Sequence, residues 1–268
     1  MTHSPLVLLD IQANGCATIT LNRPEVRNAL NDRLISELTQ IIHECAQNPN
    51  IRALILTGQG KVFCAGADLT YMKEIANFTY DQNIEDAQRL GALFETLDSC
   101  SKPTIAVVQG GAYGGGVGLV AACDIVIATQ EAKFSLTEVR LGIIPAVISP
   151  YIIRAIGQRK ARQYALTAQQ LSAAEALQSG LVHYAVPQEQ ISTLTQEVVD
   201  NLLKGSLVAQ SATKKLFRAV ESQPLTADLS TLTARAIADA RASNDGQEGL
   251  KAFLEKRQPN WIKHHDSN

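Results

Sequence analysis

The feature that most constrains this chain is an uncharged window of 21 residues, Pro103–Cys123, which holds six of the 17 glycines. A membrane-spanning helix has about this length, since it needs roughly 20 apolar residues. The glycines, however, form a Gly-Gly pair and a Gly-Gly-Gly run, which are turn signals and disfavour helix, and Asp124 ends the window. We therefore predict a buried strand, a turn and a buried helix, and no membrane partner.

Length and composition are those of an ordinary globular protein. With 268 residues, 46% of them hydrophobic, the chain can bury one large core or two smaller ones. The charges nearly cancel, because 24 Lys and Arg face 26 Asp and Glu, for a net charge of -2. No global field attracts nucleic acid or an anionic membrane. Nucleic acid is therefore not expected as a partner.

The cysteines and histidines indicate neither a metal site nor a disulfide framework. The five cysteines are widely spaced without a CxxC pair, and the five histidines form no HExxH motif. We predict no metal. The N-terminal sequence lacks the basic start of a signal peptide and the Arg-rich pattern of a transit segment, so we expect a cytoplasmic protein.

Strands and helices alternate in the first half of the chain. Two apolar runs, Leu6–Gln12 and Cys16–Leu21, flank an Asn-Gly pair, which is a strong hairpin signal. Apolar residues at steps of three and four predict a helix over Asn28–Ala46 with Asn28 as its cap. The remaining predictions are a strand at Ala53–Thr57, a loop at Lys61–Asp68, a helical segment around Ala87–Leu97, a strand at Thr104–Val108, a helix at Gly116–Cys123 and a strand at Ile125–Ala128.

From Arg159 onward the pattern is helical only. The predicted helices are Lys160–Leu166, Ala173–Ser179, Gln188–Leu203, Ser206–Glu221, Ala227–Ala242 and Gly249–Lys256. An α/β core followed by helices is the fold class that this order predicts. We divide the chain into a core, 1–200, and a C-terminal helical region for oligomerisation, 201–268.

Two glycine-containing segments could bind a ligand through the backbone. Small residues in Ala65-Gly66-Ala67-Asp68 would let a ligand approach the N–H groups; the alternative is an ordinary strand-to-helix turn capped by Asp68. Gly114-Gly115-Gly116 opens a predicted helix, whose first N–H groups favour a negatively charged group. Close helix packing would use these glycines equally well.

A third segment centres on Glu138, which precedes the uncharged run Ile143–Ile153. Desolvation beside such a run would raise the carboxyl pKa toward a value useful for proton transfer. The alternative is a solvated glutamate that pairs with Arg140.

The three segments together are far more specific than any one of them. AGAD, then GGG before a buried helix and Cys-Asp, then TEVRLG before Ile-Pro resemble the enoyl-CoA hydratase/isomerase (crotonase) family. The likeness extends to LNRPEVRNAL at 21–30, LTAQQLSAAEALQSGLV at 166–182 and EGLKAFLEKR at 248–257. It implies a crotonase-type spiral of ββα units, followed by C-terminal helices that form a homotrimer or a hexamer of two trimers.

The resemblance also implies roles for individual residues. Ala67 and Gly115 match the two backbone N–H donors that hold the thioester carbonyl of an acyl-CoA and form the oxyanion hole. Glu138 matches one of the two glutamates that family hydratases commonly use, whereas Gly118 stands where the second one would be. A single glutamate at the Glu138 position is also the arrangement of Δ3,Δ2-enoyl-CoA isomerases.

For the CoA moiety, the family match indicates two groups of positions. The first group comprises Arg27, Ala65, Asp68, Leu69 and Thr70. The second comprises Phe253 and Lys256, which would reach CoA bound to the adjacent subunit. The alternative for Phe253 is a plain amphipathic face shared with Leu250 and Leu254.

We therefore predict an enzyme, an enoyl-CoA hydratase (carbon-oxygen lyase), that adds water across the 2,3 double bond of a 2-enoyl-CoA. No cofactor is implied, since coenzyme A is part of the substrate. The segment Arg140–Pro150 resembles the bacterial methylglutaconyl-CoA hydratase group of leucine degradation, which favours 3-methylglutaconyl-CoA or a related branched glutaconyl-CoA. Arg140 or Arg154 would then meet the free carboxylate of the acyl chain.

Two alternatives stay open. One is an isomerase with a single glutamate base, and the other is a non-catalytic acyl-CoA-binding protein. RNA binding would fall to Lys214, Lys215 and Arg218, which we interpret as a solvated helix face.

Overall fold

The computed structural model describes residues 5–262. Six strands form its large sheet, side by side in the order β1-β2-β3-β4-β6-β9. They are β1 (Val7–Ile11), β2 (Cys16–Leu21), β3 (Ala53–Gly58), β4 (Thr104–Val108), β6 (Ile125–Thr129) and β9 (Tyr184–Val186). The first two strands form the predicted antiparallel hairpin, and every other pair in this sheet is parallel.

A second, small sheet contains three short strands that the sequence did not predict. They are β5 (Gly111–Tyr113), β7 (Lys133–Ser135) and β8 (Leu171–Ser172). Along the chain, β4 joins the large sheet and β5 the small one, and β6 and β7 repeat this division. A helix follows each of these strand pairs, so the chain shows the expected ββα repeat.

Ten helices complete the described residues. They are α1 (Asp32–Gln47), α2 (Leu69–Ile75), α3 (Tyr80–Asp98), α4 (Gly115–Ala122), α5 (Ser149–Thr167), α6 (Ala173–Ser179), α7 (Ile191–Lys204), α8 (Leu207–Val220), α9 (Ala227–Ala242) and α10 (Asn244–Leu254). Short 3-10 helices occur at Pro24–Val26, Glu138–Leu141 and Gln188–Gln190. Within residues 5–262, no helix combines the length and the apolar character needed to cross a bilayer.

The start of α1 differs from the prediction. The cap is Asn31, whose side chain accepts from the Leu34 N–H at 2.9 Å, and not Asn28. Asn28 is fully buried with a φ of 57°, and its amide donates to the Gln59 and Val62 carbonyls at 2.9 and 2.8 Å. Asn28 thus holds the loop after β3. The helical spacing of apolar residues in the sequence cannot reveal this role.

Three other helices begin five or more residues earlier than predicted, and one of them, α3, begins at Tyr80 and not near Ala87. The helix expected at Lys160 begins at Ser149, because the uncharged run before it is helical and Gly157, at a φ of 74°, only kinks it. Similarly, α10 begins at Asn244 with Ser243 as its cap, and not at Gly249.

The core lies between the sheets and the helices α1, α3, α4 and α5. On the far side of the large sheet, α7 covers a second apolar cluster that includes Ile105, Ile127 and Val199. In contrast, α8 and α9 contain no buried residue. The proposed boundary at residue 200 falls inside α7, and the division into two units stays a prediction.

Candidate active site

Three parallel chain segments bring the three glycine- and glutamate-containing motifs to one edge of the small sheet. Tyr113 of β5 pairs with Ser135 of β7, and Cys64 forms a parallel bridge with Ala112. Parallel segments in register end at the same edge of a sheet. The residues that follow each of them, from Ala65, Gly114 and Leu136 onward, therefore emerge side by side.

The contacts at this edge are close enough to require glycine. A Cβ added to Gly66 would lie 2.9 Å from the Tyr113 carbonyl oxygen and 3.8 Å from Gly114 Cα. A Cβ added to Gly114 would lie 3.2 Å from Glu138 Oε1. Gly66 and Gly114 also have φ values of 86° and 49°, which residues with a side chain rarely adopt. The structure thus brings all three predicted motifs into contact.

Ala67 lies in a short bridge that leaves its own N–H free. The Leu30 N–H donates to the Gly66 carbonyl at 2.7 Å, and the Asp68 N–H donates to the Leu30 carbonyl at 2.8 Å. In a parallel bridge, the polar groups of the enclosed residue point away from the partner strand. Among residues 5–262, no protein acceptor meets the Ala67 N–H, and Ala67 is exposed.

Gly115 is the first residue of α4, where a backbone N–H has no partner within the helix. No acceptor meets this N–H elsewhere in the described part of the chain. A Cβ at this position would lie 2.8 Å from Leu30 Cδ1, so a side chain here would displace the end of the Leu30 side chain. Two free N–H groups therefore occur on neighbouring segments, and their role as an oxyanion hole stays a prediction.

Glu138 is the first residue of the 3-10 helix Glu138–Leu141, which ends at Gly142 with a φ of 74°. Its Oε2 atom is buried and has no hydrogen-bond partner in the part of the chain that the structure describes. Burial raises the pKa of this carboxyl, against the smaller opposing effect of nearby backbone N–H groups. The alternative, an ion pair with Arg140, does not form among these residues. Glu138 is thus a desolvated carboxylate.

The position expected for a second glutamate is filled by apolar side chains. Gly118 is buried in α4, and a Cβ there would lie 2.3 Å from Ile148 Cγ2 and 2.9 Å from Phe94 Cε1. Phe94 is fully buried and Ile148 is 3% exposed. The site therefore has one carboxylate where many family hydratases have two.

The positions expected to bind CoA divide into two groups in the structure. Arg27 is exposed, and its carbonyl accepts from the Ala65 N–H at 3.0 Å, so these two residues lie together beside the AGAD loop. Leu69 and Thr70 are exposed in the first turn of α2. The Asp68 side chain is different, because it is buried and caps α2. Its backbone is engaged as well, because the Asp68 N–H donates to the Leu30 carbonyl and the Asp68 carbonyl accepts from the Met72 N–H, each at 2.8 Å.

Phe253 and Lys256 lie with the C-terminal helices and not with the cluster of Gly66, Gly114 and Glu138. Phe253 is 81% exposed, and α10 packs on α8 and α9. Ala252 is the buried residue of α10, whereas Leu250 and Leu254 are exposed. Leu250, Phe253 and Leu254 are thus exposed apolar residues of one chain, and both the CoA-binding role of Phe253 and the alternative of an amphipathic face stay predictions.

The two arginines considered for an acyl carboxylate differ in their surroundings. Arg154 pairs with Asp98 and Glu221 and lies over the Tyr151 ring at 5.6 Å. Arg140 is exposed and makes no ion pair within residues 5–262. Arg140 is therefore the better candidate.

The basic residues considered for RNA binding are largely occupied. The Lys214 ammonium lies 2.6 Å from Asp124 and donates to the Lys102 carbonyl, and Arg218 lies 3.4 Å from Asp98. These contacts hold α8 against the core and leave little basic surface.

Cys64 is no candidate nucleophile, although it precedes the AGAD loop directly. Burial raises the pKa of its thiol to about 12, so the thiol is protonated at neutral pH. No three His, Cys, Asp or Glu side chains group as metal ligands in the described ranges.

Sequence reasoning missed four residues that build the site. Asn28 and Arg23 order the loops around Ala67, and Phe94 and Ile148 fill the space beside Gly118. Arg23 stands in the LNRPE segment used for the family likeness, so that segment was the available signal. For Phe94 and Ile148 no local pattern reveals the contact, because they come from different elements.

Known proteins resemble this chain over nearly its whole length. The family model for enoyl-CoA hydratase/isomerase matches residues 11–264. A Mycobacterium bovis protein named "probable enoyl-CoA hydratase" is 39% identical over 264 residues, which cover 97% of this chain and 99% of that protein. The crystal structure of an enoyl-CoA hydratase from Shewanella pealeana has a TM-score of 0.93 at 40% identity, covering 96% of each chain. AtuE from Pseudomonas aeruginosa has a TM-score of 0.92 at 33% identity, covering 97% of this chain and all of that one.

These relatives share the fold that the sequence predicted over nearly the whole length of this chain. The α/β, crotonase-type fold and the enzyme class are thereby confirmed. The chain belongs to the enoyl-CoA hydratase/isomerase family.

Proposed function

We propose that this protein hydrates a 2-enoyl-CoA, with Ala67 and Gly115 as the donors to the thioester carbonyl and Glu138 as the acid-base residue. One observation carries the proposal. Two backbone N–H groups that have no acceptor among residues 5–262 lie close to a desolvated carboxyl group around Gly66 and Gly114. This combination suits a reaction in which negative charge develops on a carbonyl oxygen while a proton moves nearby.

The steps follow from these groups. Glu138 takes a proton from water as the water oxygen bonds to C3, and the electron pair of the double bond moves to the thioester as an enolate. The two N–H groups stabilise the enolate oxygen, and loss of one such donor typically costs about 3 kcal/mol of barrier. Return of the proton from Glu138 to C2 gives the 3-hydroxyacyl-CoA. Coenzyme A enters as part of the substrate, and we propose that no separate cofactor takes part.

For the acyl chain we propose 3-methylglutaconyl-CoA or a related branched glutaconyl-CoA. The support is the likeness of the segment Arg140–Pro150 to that hydratase group, together with the exposed Arg140, which has no ion pair within the described residues. A guanidinium binds a carboxylate by two parallel hydrogen bonds. Arg154, in contrast, already pairs with Asp98 and Glu221.

Steady-state kinetics on a panel of enoyl-CoAs tests the proposal. Turnover is followed by the loss of enoyl-thioester absorbance, with 3-methylglutaconyl-CoA and crotonyl-CoA compared. Arg140→Gln should lower kcat/KM about 10-fold or more for the substrate with a free carboxylate, and leave crotonyl-CoA turnover unchanged. Arg159→Gln, at another exposed arginine, is the control. No turnover of either substrate by protein that binds CoA esters would leave a non-catalytic binding protein.

A second candidate, the Δ3,Δ2-enoyl-CoA isomerase, is favoured by one observation. Ile148 and Phe94 fill the space of a second glutamate, and moving a proton between two carbons requires a single base. Separate incubations of a 2-enoyl-CoA and a 3-enoyl-CoA in H₂¹⁸O distinguish the two reactions. The hydratase forms an ¹⁸O-labelled 3-hydroxyacyl-CoA from the 2-enoyl-CoA and leaves the 3-enoyl-CoA unchanged, whereas the isomerase converts the 3-enoyl-CoA to an unlabelled 2-enoyl-CoA.

We further propose a homotrimer or a hexamer of two trimers, in which Phe253 and Lys256 approach CoA on the adjacent subunit. Supporting this, α8 and α9 bury no residue within one chain, and Phe217, Leu225 and Leu254 are exposed on or between the C-terminal helices. Such apolar surface is typical of an interaction site. A cytoplasmic location stays a prediction of the sequence.

A further inference from the structure

A buried ion pair lies next to the proposed donor Ala67. Arg23 Nη2 is 2.8 Å from Asp68 Oδ2, and the two side chains are 12% and 8% exposed. Arg23 Nη1 also donates to the Ala29 carbonyl at 2.5 Å. One planar guanidinium thus binds the residue that precedes Leu30 and the residue that follows Ala67.

Asp68 is fixed from a second direction as well. Its Oδ1 atom accepts from the Thr70 N–H at 2.7 Å and from the Tyr71 N–H at 3.3 Å, which caps α2. Burial alone would raise the pKa of the Asp68 carboxyl, but Arg23 and these two N–H groups hold that pKa below its usual range. Asp68 is therefore ionised at neutral pH, and its pair with Arg23 carries both charges.

This pair connects the two strands of the bridge that orients the Ala67 N–H. The bridge consists of the Leu30 N–H bond to the Gly66 carbonyl and the Asp68 N–H bond to the Leu30 carbonyl. Arg23 holds Ala29 on one strand and Asp68 on the other. Movement of either strand would displace the Ala67 N–H, and a misplacement of about 1 Å in a reacting geometry can cost about 100-fold in rate.

We propose that Arg23 is a positioning residue, which acts through Ala29 and Asp68 to set the Ala67 N–H against the thioester carbonyl. This rests on the function proposed above. Arg23 itself need not touch the substrate, because its guanidinium is engaged by protein groups and is largely buried.

Two substitutions remove the ion pair in different ways. Arg23→Gln removes the charge and the fork, whereas Asp68→Asn removes the charge but keeps an oxygen that caps α2. Each should lower kcat about 10- to 100-fold with a much smaller change in KM, and Arg23→Lys should restore only part of kcat because lysine lacks the fork. Arg33→Gln, which breaks the exposed Arg33–Glu37 pair, is the control and should leave kcat unchanged.

An infrared measurement reports the donor without turnover. The probe is butyryl-CoA with ¹³C at the thioester carbonyl, and circular dichroism confirms that each variant is folded. The wild-type protein should lower the carbonyl stretching frequency relative to solution, and both Arg23→Gln and Asp68→Asn should reverse most of that shift.

The outcomes separate the two proposals. A wild-type spectrum without a shift would contradict the proposed function itself. If the Arg23→Gln and Asp68→Asn proteins are folded and both keep the wild-type shift of the carbonyl frequency, the positioning role is overturned. This holds even if the variants melt at a lower temperature, because the ion pair would then be only structural.

Discussion

At the scale of single residues, the ionised side chain of Glu138 destabilises the folded protein. A buried carboxylate oxygen without a partner costs free energy when it is ionised. Its raised pKa expresses the same cost, because the folded state favours the protonated form. The chain thus retains a destabilising group at the position where the proposed chemistry needs a base.

Two pH dependences follow for Glu138. Because the folded-state pKa lies above the ordinary value of about 4.3, activity should begin to fall, as pH decreases, at a higher pH than an ordinary glutamate would give. Glu138→Gln should abolish activity. At pH 7 this variant should nevertheless unfold at a higher temperature than the wild type, because its free energy of unfolding is larger by about 1 kcal/mol.

Glu138→Gln is expected to be more stable than the wild type only where the Glu138 carboxyl is ionised. Below both pKa values Glu138 is protonated in the folded and unfolded states, so the advantage of Glu138→Gln should disappear as the pH falls toward 4. Thermal unfolding and pH-rate profiles measure both effects, with Glu85→Gln on an exposed face of α3 as the control. A Glu138→Gln protein less stable than wild type at pH 7 would contradict the desolvation argument.

At the scale of elements, the packing of α4 against α3 and α5 decides how many carboxylates the site can hold. Gly118 lets Ile148 and Phe94 approach the helix backbone. A glycine at such a contact lowers helix propensity but allows close packing. The glycine-rich window therefore serves both of the purposes considered for it, since Gly115 leaves a free N–H and Gly118 allows close packing.

Restoring the second glutamate should fail in this background. Gly118→Glu would place its Cβ 2.3 Å from Ile148 Cγ2, and overpacking a core typically costs about 1 to 3 kcal/mol. Gly118→Glu/Ile148→Ala should be destabilised by less than the sum of the two single variants, because alanine vacates the contacted space. Denaturant unfolding of the four proteins measures this coupling, and simple additivity would show that the contact does not limit position 118.

The elements also show what the sequence could predict. The strand Thr104–Val108 and the helix Ala227–Ala242 coincide with their predictions because hydrophobic pattern and turn signals agree there. The strands β5 and β7 were missed because three residues carry no readable period. These short strands align Gly115 with Glu138, so the site residues were predictable from family likeness but their arrangement was not.

At the scale of the whole molecule, charged groups join the C-terminal helices to the core. Lys214 and Arg218 of α8 bind Asp124 and Asp98, while Arg52 donates to the carbonyls of Leu203 and Gly205 at the start of this region. Exposed apolar side chains remain on these helices, among them Phe217, Leu232 and Leu254. In the proposed trimer, a second copy of the chain would cover these apolar side chains.

Sedimentation equilibrium tests this arrangement. The wild-type protein should sediment as a trimer or a hexamer, and Leu254→Glu should shift it toward monomers by placing a charge on an apolar surface that is 79% exposed in one chain. Gln258→Glu adds the same charge at an exposed polar site nearby and should not change the mass. A monomeric wild-type protein would contradict the proposed assembly.

The bridge between Leu30 and Ala67 has a consequence for how this protein can diverge. The N–H groups proposed to bind the carbonyl belong to the main chain, which every amino acid except proline supplies. Substitution can therefore alter the side chains that select an acyl chain while the carbonyl contacts persist. What evolution must preserve is the shape of a few backbone turns, and a new specificity can arise without rebuilding the reactive centre.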